Sequence, residues 1–129
     1  MKVINPSPWV KEPKLEVIEL PKEKICISTQ DGHQVIIKDE ISCLIADSNY
    51  TTIHIDGQSI LCAQTLSHVL YKLNLPEFIR VHRSYAVNIN KIKHIDYGFN
   101  LITTYDGDRL MIARSRKQEI RAIVMKHFD

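Results

Sequence analysis

The sequence predicts a mainly β fold with two short helices. Three observations predict it: apolar and polar residues alternate in several short runs, turn residues separate those runs, and only two segments show helical spacing. Helices do not alternate regularly with the strands, so antiparallel sheets are expected rather than a parallel architecture. The 129 residues, 44% of them apolar, are enough for one globular domain with a core.

The N-terminal segment is predicted to be an extended leader or linker. Residues 1–21 contain four prolines separated by polar residues, with Trp9 as the single tryptophan. Proline removes a backbone donor and disfavours both regular helix and central strand. The folded domain is therefore placed at residues 22–129.

The next part of the chain reads as strands joined by tight turns. Asp31-Gly32 and Asp56-Gly57 are hairpin signals, and Ser48-Asn49 marks a further turn between apolar runs. The predicted strands are residues 24–30, 33–38, 41–47, 50–55 and 59–62.

A change of period then marks the first helix, after residue 64. Its apolar residues are spaced i, i+3, i+4 and i+7, Thr65 is the expected N-cap, and Pro76 follows its end. Further strands are predicted at residues 78–82, 92–97, 101–105 and 109–113. Ser115 and Gln118 have the spacing of a capping box for a C-terminal helix. The apolar stripe of that helix is expected to comprise Ile120, Ile123, Val124 and Phe128.

Several classes of protein are disfavoured by composition. No apolar run approaches the roughly 18 residues of a membrane span, and the N-terminus lacks an apolar signal core. Cys26, Cys43 and Cys62 are widely spaced in apolar runs without a CxxC pair, so buried thiols in a reducing cytoplasm are expected rather than disulfides or a zinc site. No metal or cofactor is predicted.

Charge is unevenly distributed along the chain. Residues 1–77 carry a net charge of −3, whereas residues 78–129 carry +5. A basic half of this kind is typical of a surface that faces a polyanion, although many domains have a solvated basic face that binds nothing.

The run FIRVHRSYAVNINKI, residues 78–92, contains the most unusual feature of the sequence. A strand that alternates through Phe78 is expected to end near a polar corner formed by His82, Arg83 and Ser84. In one interpretation His82 and Asn88 tie a kinked loop to the sheet, and Arg83 is a solvated charge. In the other, Arg83 stands at the tip of a rigid corner and reaches a partner.

This run, as FxRxHRSYxVNxxxI, resembles the signature of the LytTR DNA-binding domain family. The segment from Ile41 to Ile55 resembles the upstream strand–loop–strand of that family. The strand Arg109–Ala113 with the terminal helix resembles the C-terminal end of the family's domain. The resemblance covers roughly residues 22–127. It implies an elongated antiparallel β-sheet fold that binds double-stranded DNA through loops, and a role in transcription regulation.

The resemblance implies three contact regions: residues 49–52, the HRS corner, and the turn before the last helix. Arg83 and Arg114 can grip guanine, and Asn49 can read adenine in a major groove. The base-reading candidates are Asn49, Thr51, Arg83 and Arg114. The phosphate-contact candidates are Thr52, Ser84, Lys91, Arg116 and Lys117. Ala113 stands where the family often has Ser.

Two other functions compete with DNA binding as interpretations of this sequence. Catalysis lacks any nucleophile motif, Gly-rich phosphate loop or metal-ligand spacing, so the chain is not expected to be an enzyme. Histidines and acids that a catalytic interpretation would use are His54, His82, His94, Asp47, Asp56 and Asp96. A β-rich protein-interaction module that extends a partner's sheet through an edge strand remains the alternative.

The resemblance also bears on partners. Family members commonly follow a phosphoacceptor receiver domain, and residues 1–20 are too few for one. The protein is therefore expected to act alone, to take its signal from a separate partner, or to be part of a longer chain. A homodimer on direct-repeat DNA is implied, as is a cytoplasmic location in a bacterium.

Overall fold

The computed structural model describes residues 21–129, which form ten strands and two helices. The predicted leader with Trp9 lies outside the described residues, except for Pro21. The strands are β1 (Lys24–Thr29), β2 (Gly32–Ile37), β3 (Ile41–Asp47), β4 (Tyr50–Ile55), β5 (Gln58–Cys62), β6 (Phe78–His82), β7 (Tyr85–Asn88), β8 (Ile92–Ile95), β9 (Leu101–Thr104) and β10 (Arg109–Met111). The helices are α1 (Leu66–Leu73) and α2 (Lys117–Phe128).

Every strand pair is antiparallel, which confirms the predicted fold class. The largest sheet has five strands in the order β5-β4-β3-β7-β6. A three-stranded sheet has the order β10-β9-β8, and β1 and β2 form a separate hairpin. Strand β7, over Tyr85–Asn88, was not predicted as a separate strand because its four residues are too short to show a period of two.

The predicted turns are present and show the backbone geometry that their residues favour. Asp56 has φ 46° and Gly57 has φ 78°, and two consecutive positive φ values match the right-handed twist of a hairpin. Ser48, at the β3–β4 turn, also has a positive φ of 57°. These turns determine which ends of the strands meet.

The core consists of two apolar clusters, one under each helix. Leu66, Val69 and Leu73 of α1 are at most 2% exposed and pack with β1–β5. Ile120 and Val124 of α2 pack with β6, β7, β9 and β10. Both predicted helical stripes are confirmed, except that Phe128 is 59% exposed and lies outside the core.

The two helices begin differently. Thr65 caps α1 as predicted, because its Oγ1 accepts a hydrogen bond from the His68 amide at 3.2 Å. The predicted cap at Ser115 is wrong: α2 begins at Lys117, and no side chain caps it. A 3₁₀ turn over Arg114–Arg116 precedes α2, and it leads the chain into the helix without a side-chain cap.

The cysteines differ in burial. Cys43 and Cys62 are buried as predicted, but Cys26 is exposed. Ile25 and Ile27 point into the core, so the residue between them on β1 faces solvent. Burial raises the pKa of the Cys43 thiol well above its ordinary value, and the nearby Asp108 carboxylate raises this pKa further.

Within residues 21–129 neither helix has the length and apolar composition needed to span a membrane.

Candidate nucleic-acid interface

Two of the predicted contact loops lie at the same end of the five-stranded sheet. Strand register pairs Asp47 with Tyr50 across the β3–β4 turn, and it pairs Tyr85 with both Ile45 and His82. The end of β3 therefore lies beside the start of β7. The Ala46 amide, near the end of β3, donates a hydrogen bond to the Ser84 carbonyl at 2.8 Å and joins β3 to the turn at residues 83–84. We call this region, defined by the turns at residues 48–49 and 83–84, the corner end of the sheet.

The third predicted region lies beside the last residues of β6. The Ala113 amide donates to the Val81 carbonyl at 2.9 Å. Arg116 Nη1 lies 3.5 Å from the Arg80 carbonyl oxygen. The turn over Arg114–Arg116 is thereby held next to the corner end, although it follows the β3–β4 turn by half the chain.

Three of the four base-reading candidates are exposed in this region. Asn49, Arg83 and Arg114 are all solvent-accessible. Thr51 is fully buried, and its Oγ1 donates a hydrogen bond to the Gln64 carbonyl at 2.7 Å. A hydroxyl that is covered and already bonded does not meet a base edge, so the structure corrects the assignment of Thr51. The alternation of β4, which turns Thr51 inward, is the reason.

The phosphate candidates are divided between the corner end and other sites. Thr52 and Ser84 are half-buried there, and Arg116 lies against β6. Lys91 lies beyond the opposite end of β7, about 13 Å or more from Ser84 at the rise of an extended strand. The Lys117 ammonium donates to Asn100 Oδ1 in the β8–β9 loop. Lys91 and Lys117 are therefore not brought together with the corner arginines by their side-chain contacts.

His82 makes contacts that hold the corner in shape, whereas Asn88 ties the opposite end of β7 to the start of β3. The Ser84 amide donates to His82 Nδ1 at 3.0 Å, and the His82 ring lies 4.9 Å from that of Tyr85. Asn88 is 3% exposed, and its Nδ2 donates to the Ile41 carbonyl at 3.0 Å. Its Oδ1 accepts from the Asn90 amide at the same distance. A buried amide with both ends bonded fixes the local backbone rather than binding a partner.

Arg80 is a functional candidate that the sequence reasoning did not assign. Its guanidinium donates to Ser67 Oγ at 3.0 Å, to the His82 carbonyl at 3.4 Å, and to the Arg83 carbonyl. It therefore links α1 to the tip of the corner. Burial lowers the pKa of Arg80, and the positive charge of Arg116 lowers it further. An arginine on the outward side of a short apolar strand is the sequence signal that could have identified it.

The arginines of the corner end have no acidic partner among residues 21–129. The ion pairs among residues 21–129 are Lys38–Glu23 and His54–Asp108, and neither of them involves an arginine. Arg80 and Arg83, with Ser48, Thr65, Ser67 and Ser84, line a cleft of about 280 Å³ at this end. Like charges held close together without carboxylates favour binding of a polyanion.

Comparison with known proteins gives a family for this chain. Residues 31–125 match the model of the LytTr DNA-binding domain. A transcriptional regulatory protein LytR of Staphylococcus aureus (strain N315) is 24% identical over 105 residues, which are 79% of this chain and 43% of the relative. A sensory transduction protein LytT of Bacillus subtilis (strain 168) is 31% identical over 113 residues, 84% of this chain and 39% of the relative.

A solved structure agrees with these sequence relatives. A LytTr DNA-binding domain from Bacillus cereus superposes with a TM-score of 0.67 at 25% identity, and the match covers 81% of this chain and 98% of that one. The chain spans less than half the length of the curated relatives that it matches. Because the family model covers most of its residues, the chain belongs to the LytTr DNA-binding domain family.

Proposed function

We propose that the protein regulates transcription by binding specific sequences of double-stranded DNA through the loops at the corner end. The observation that carries this proposal is the convergence of Asn49, Arg83 and Arg114–Arg116 at one end of one sheet, without acidic partners. The names of the two bacterial relatives, a transcriptional regulator and a sensory transduction protein, support the same role. Binding alone accounts for this role, and no catalytic step is part of it.

The side chains at the corner end suit base recognition in a major groove. The guanidinium groups of Arg83 and Arg114 present paired donors to guanine O6 and N7, and the amide of Asn49 matches adenine N6 and N7. Thr52, Ser84 and Arg116 follow these candidates by one to three residues in the sequence and would hold the flanking phosphates. Lys91 and Lys117 would meet phosphates further along the backbone, which suits a bent duplex.

The domain that carries this activity is assigned to residues 22–129, slightly wider than the family match. Binding to direct repeats as a pair of copies, and a separate signalling partner, belong to the same proposal. A protein that acts on bacterial DNA works in the cytoplasm.

Selection of bound duplexes from a random pool tests the proposal most directly. We expect enrichment of one sequence motif, and affinity for that motif should fall steeply between low and moderate salt. The slope should correspond to roughly four to eight neutralised phosphates. An unenriched pool together with no duplex binding at low salt would contradict DNA binding. That result would favour the protein-interaction module.

A further inference from the structure

A cluster of three metal-binding residue types lies between the five-stranded and three-stranded sheets. Cys43 on β3 and His54 on β4 are directly paired across the strands. Asp108, from the β9–β10 turn, reaches both of them from the other sheet. Its Oδ1 accepts from His54 Nδ1 at 2.9 Å, and its Oδ2 accepts from Cys43 Sγ at 3.4 Å. One ligand atom from each of the three residues lies within 4.8 Å of the others.

The chemistry and spacing of these atoms match a zinc site. Thiolate, imidazole and carboxylate are the protein ligands of Zn²⁺. Tetrahedral coordination at ordinary bond lengths separates sulfur from oxygen by about 3.5 Å and nitrogen from oxygen by about 3.3 Å. Cys43 Sγ lies 3.4 Å from Asp108 Oδ2 and His54 Nδ1 lies 2.9 Å from Asp108 Oδ1, so each carboxylate oxygen is already near one of the other two ligands, and a rotation of the carboxylate is needed for one oxygen to face both.

The surroundings also suit a bound ion. The side chains of His54 and Asp108 are 24% and 18% exposed, so an ion can enter and water can fill a fourth position. Thr104 Oγ1 donates to Asp108 Oδ2 at 3.2 Å and accepts from the Asp108 amide at 3.0 Å. Such a second partner orients a ligating carboxylate, as is usual in metal sites. The hydrogen bonds from His54 and Cys43 to Asp108 thus hold the three side chains close together before an ion binds.

We propose that Cys43, His54 and Asp108 bind one Zn²⁺ ion, with water as the fourth ligand. On binding, the Cys43 thiol transfers its proton to solvent and its sulfur forms a bond to the ion. The proton on His54 Nδ1 leaves to solvent while Nε2 carries the ring proton, so the imidazole stays neutral, and Nδ1 and one Asp108 oxygen replace their mutual hydrogen bond with bonds to the metal. Thiolate and imidazole select Zn²⁺ over Mg²⁺ or Ca²⁺. The ion joins the sheet that carries the Asn49 turn to the sheet whose last strand leads to Arg114.

Titration of the metal-stripped 129-residue chain with Co²⁺ tests this site without DNA. We expect one Co²⁺ per chain, a thiolate-to-cobalt charge-transfer band, and the visible bands of a tetrahedral ion. Added Zn²⁺ should abolish these bands and raise the melting temperature of the protein. Absence of the charge-transfer band would overturn the proposal.

Variants separate this cluster from the other thiols of the chain. His54→Gln and Asp108→Asn change partly exposed side chains at nearly constant size, and each should lose the cobalt bands while its circular dichroism stays native. Cys62→Ala and Cys26→Ala are the matched controls and should keep the bands. Loss of the bands in Cys26→Ala, or their survival in both His54→Gln and Asp108→Asn, would place the cobalt elsewhere and overturn the proposal.

Discussion

Arg80 and Arg83 are the same residue type three positions apart, but their side chains make different contacts. The guanidinium of Arg80 is occupied by Ser67 and by the carbonyls of His82 and Arg83. Arg83 is exposed at the tip of the turn, and its guanidinium has no hydrogen bond to any other described residue. A long cation on a braced backbone loses less conformational entropy on binding than one on a mobile loop. Arg80 therefore supports the corner, and Arg83 is left free for its proposed role as a base reader.

Arg83→Ala is expected to weaken specific duplex binding by about 1–3 kcal/mol and to relax preference at one base pair. The reason is the loss of a paired donor to a base edge. Fluorescence anisotropy with the selected site and its single-base variants measures both effects. Lys24→Ala is the control, because Lys24 is an exposed cation at the end of β1 away from the corner end. A variant that discriminates sites as well as the wild type would show that Arg83 is not a reader.

Lys117→Ala is expected to weaken binding to all duplexes about equally. An ammonium that contacts only phosphate carries no sequence information, so its removal should flatten the salt dependence by about one unit of slope. Affinities of a specific and an unrelated duplex, each measured over a series of salt concentrations, check this. Unequal losses on the two duplexes would contradict a phosphate role for Lys117.

At the scale of the elements, the β8–β9 turn depends on one carboxylate. Asp96 Oδ1 accepts hydrogen bonds from the Asn100 amide at 2.7 Å and the Leu101 amide at 2.9 Å. The turn holds Phe99 at φ 53°, and the Phe99 ring is 7% exposed in the core with Arg121 above it. The bond from the Leu101 amide, followed by that from Asn100, lowers the pKa of Asp96. The charged form of Asp96 is therefore the one that stabilises the turn.

Asp96→Ala is expected to lower the melting temperature at neutral pH, by an amount that depends on pH. A carboxyl whose pKa is lower in the folded state stabilises the fold above its unfolded pKa of about 3.9. That contribution is lost as pH falls through the lower folded value. The difference in melting temperature between wild type and variant should therefore shrink below about pH 4.

Thermal melts of both proteins from pH 3 to pH 7 provide the measurement. This pH range extends from roughly one unit below to three units above the unfolded pKa. Asp31→Ala, at the exposed β1–β2 turn, is the control and should show little dependence of this kind. A constant difference at every pH would mean that packing, not the carboxylate charge, accounts for the effect of Asp96.

The elements differ in how far the sequence predicts them. Helix α1 was predicted with its cap because Thr65 and the apolar stripe lie within one short segment. The start of α2 was not predicted correctly, because the turn over Arg114–Arg116 is held by its contact with the Arg80 carbonyl on another strand. Local turn chemistry is visible in the sequence, whereas a turn held by a distant strand is not.

At the scale of the whole molecule, the basic second half of the chain supplies most of the proposed interface. Residues 78–129 carry a net charge of +5, and all four arginines near the corner end lie in this half: Arg80 belongs to β6, Arg83 follows β6, and Arg114 and Arg116 precede α2. The β3–β4 turn contributes Asn49 from the acidic half. One copy therefore presents a single group of base-reading candidates at one end of its largest sheet, which suits one half-site.

Two copies are expected to bind a duplex that carries two half-sites as a direct repeat. Equivalent faces of B-DNA recur every 10–10.5 base pairs, so insertion of about 5 base pairs between the half-sites should weaken binding of the pair. Sedimentation of protein–duplex complexes gives the number of bound copies for each spacing. Equal binding to inverted repeats would contradict a head-to-tail arrangement.

The fold class, the turns, the first helix and the position of Arg83 at a corner could all be predicted from the residue pattern. These depend on backbone preferences and periodicities within a few neighbouring residues. The burial of Thr51, the contacts of Arg80 at the corner, and the approach of Cys43 to Asp108 across 65 residues of sequence appear only in the folded structure. Contacts between residues far apart in the sequence depend on strand register and on the packing of one sheet against another, and no local pattern of residues encodes them.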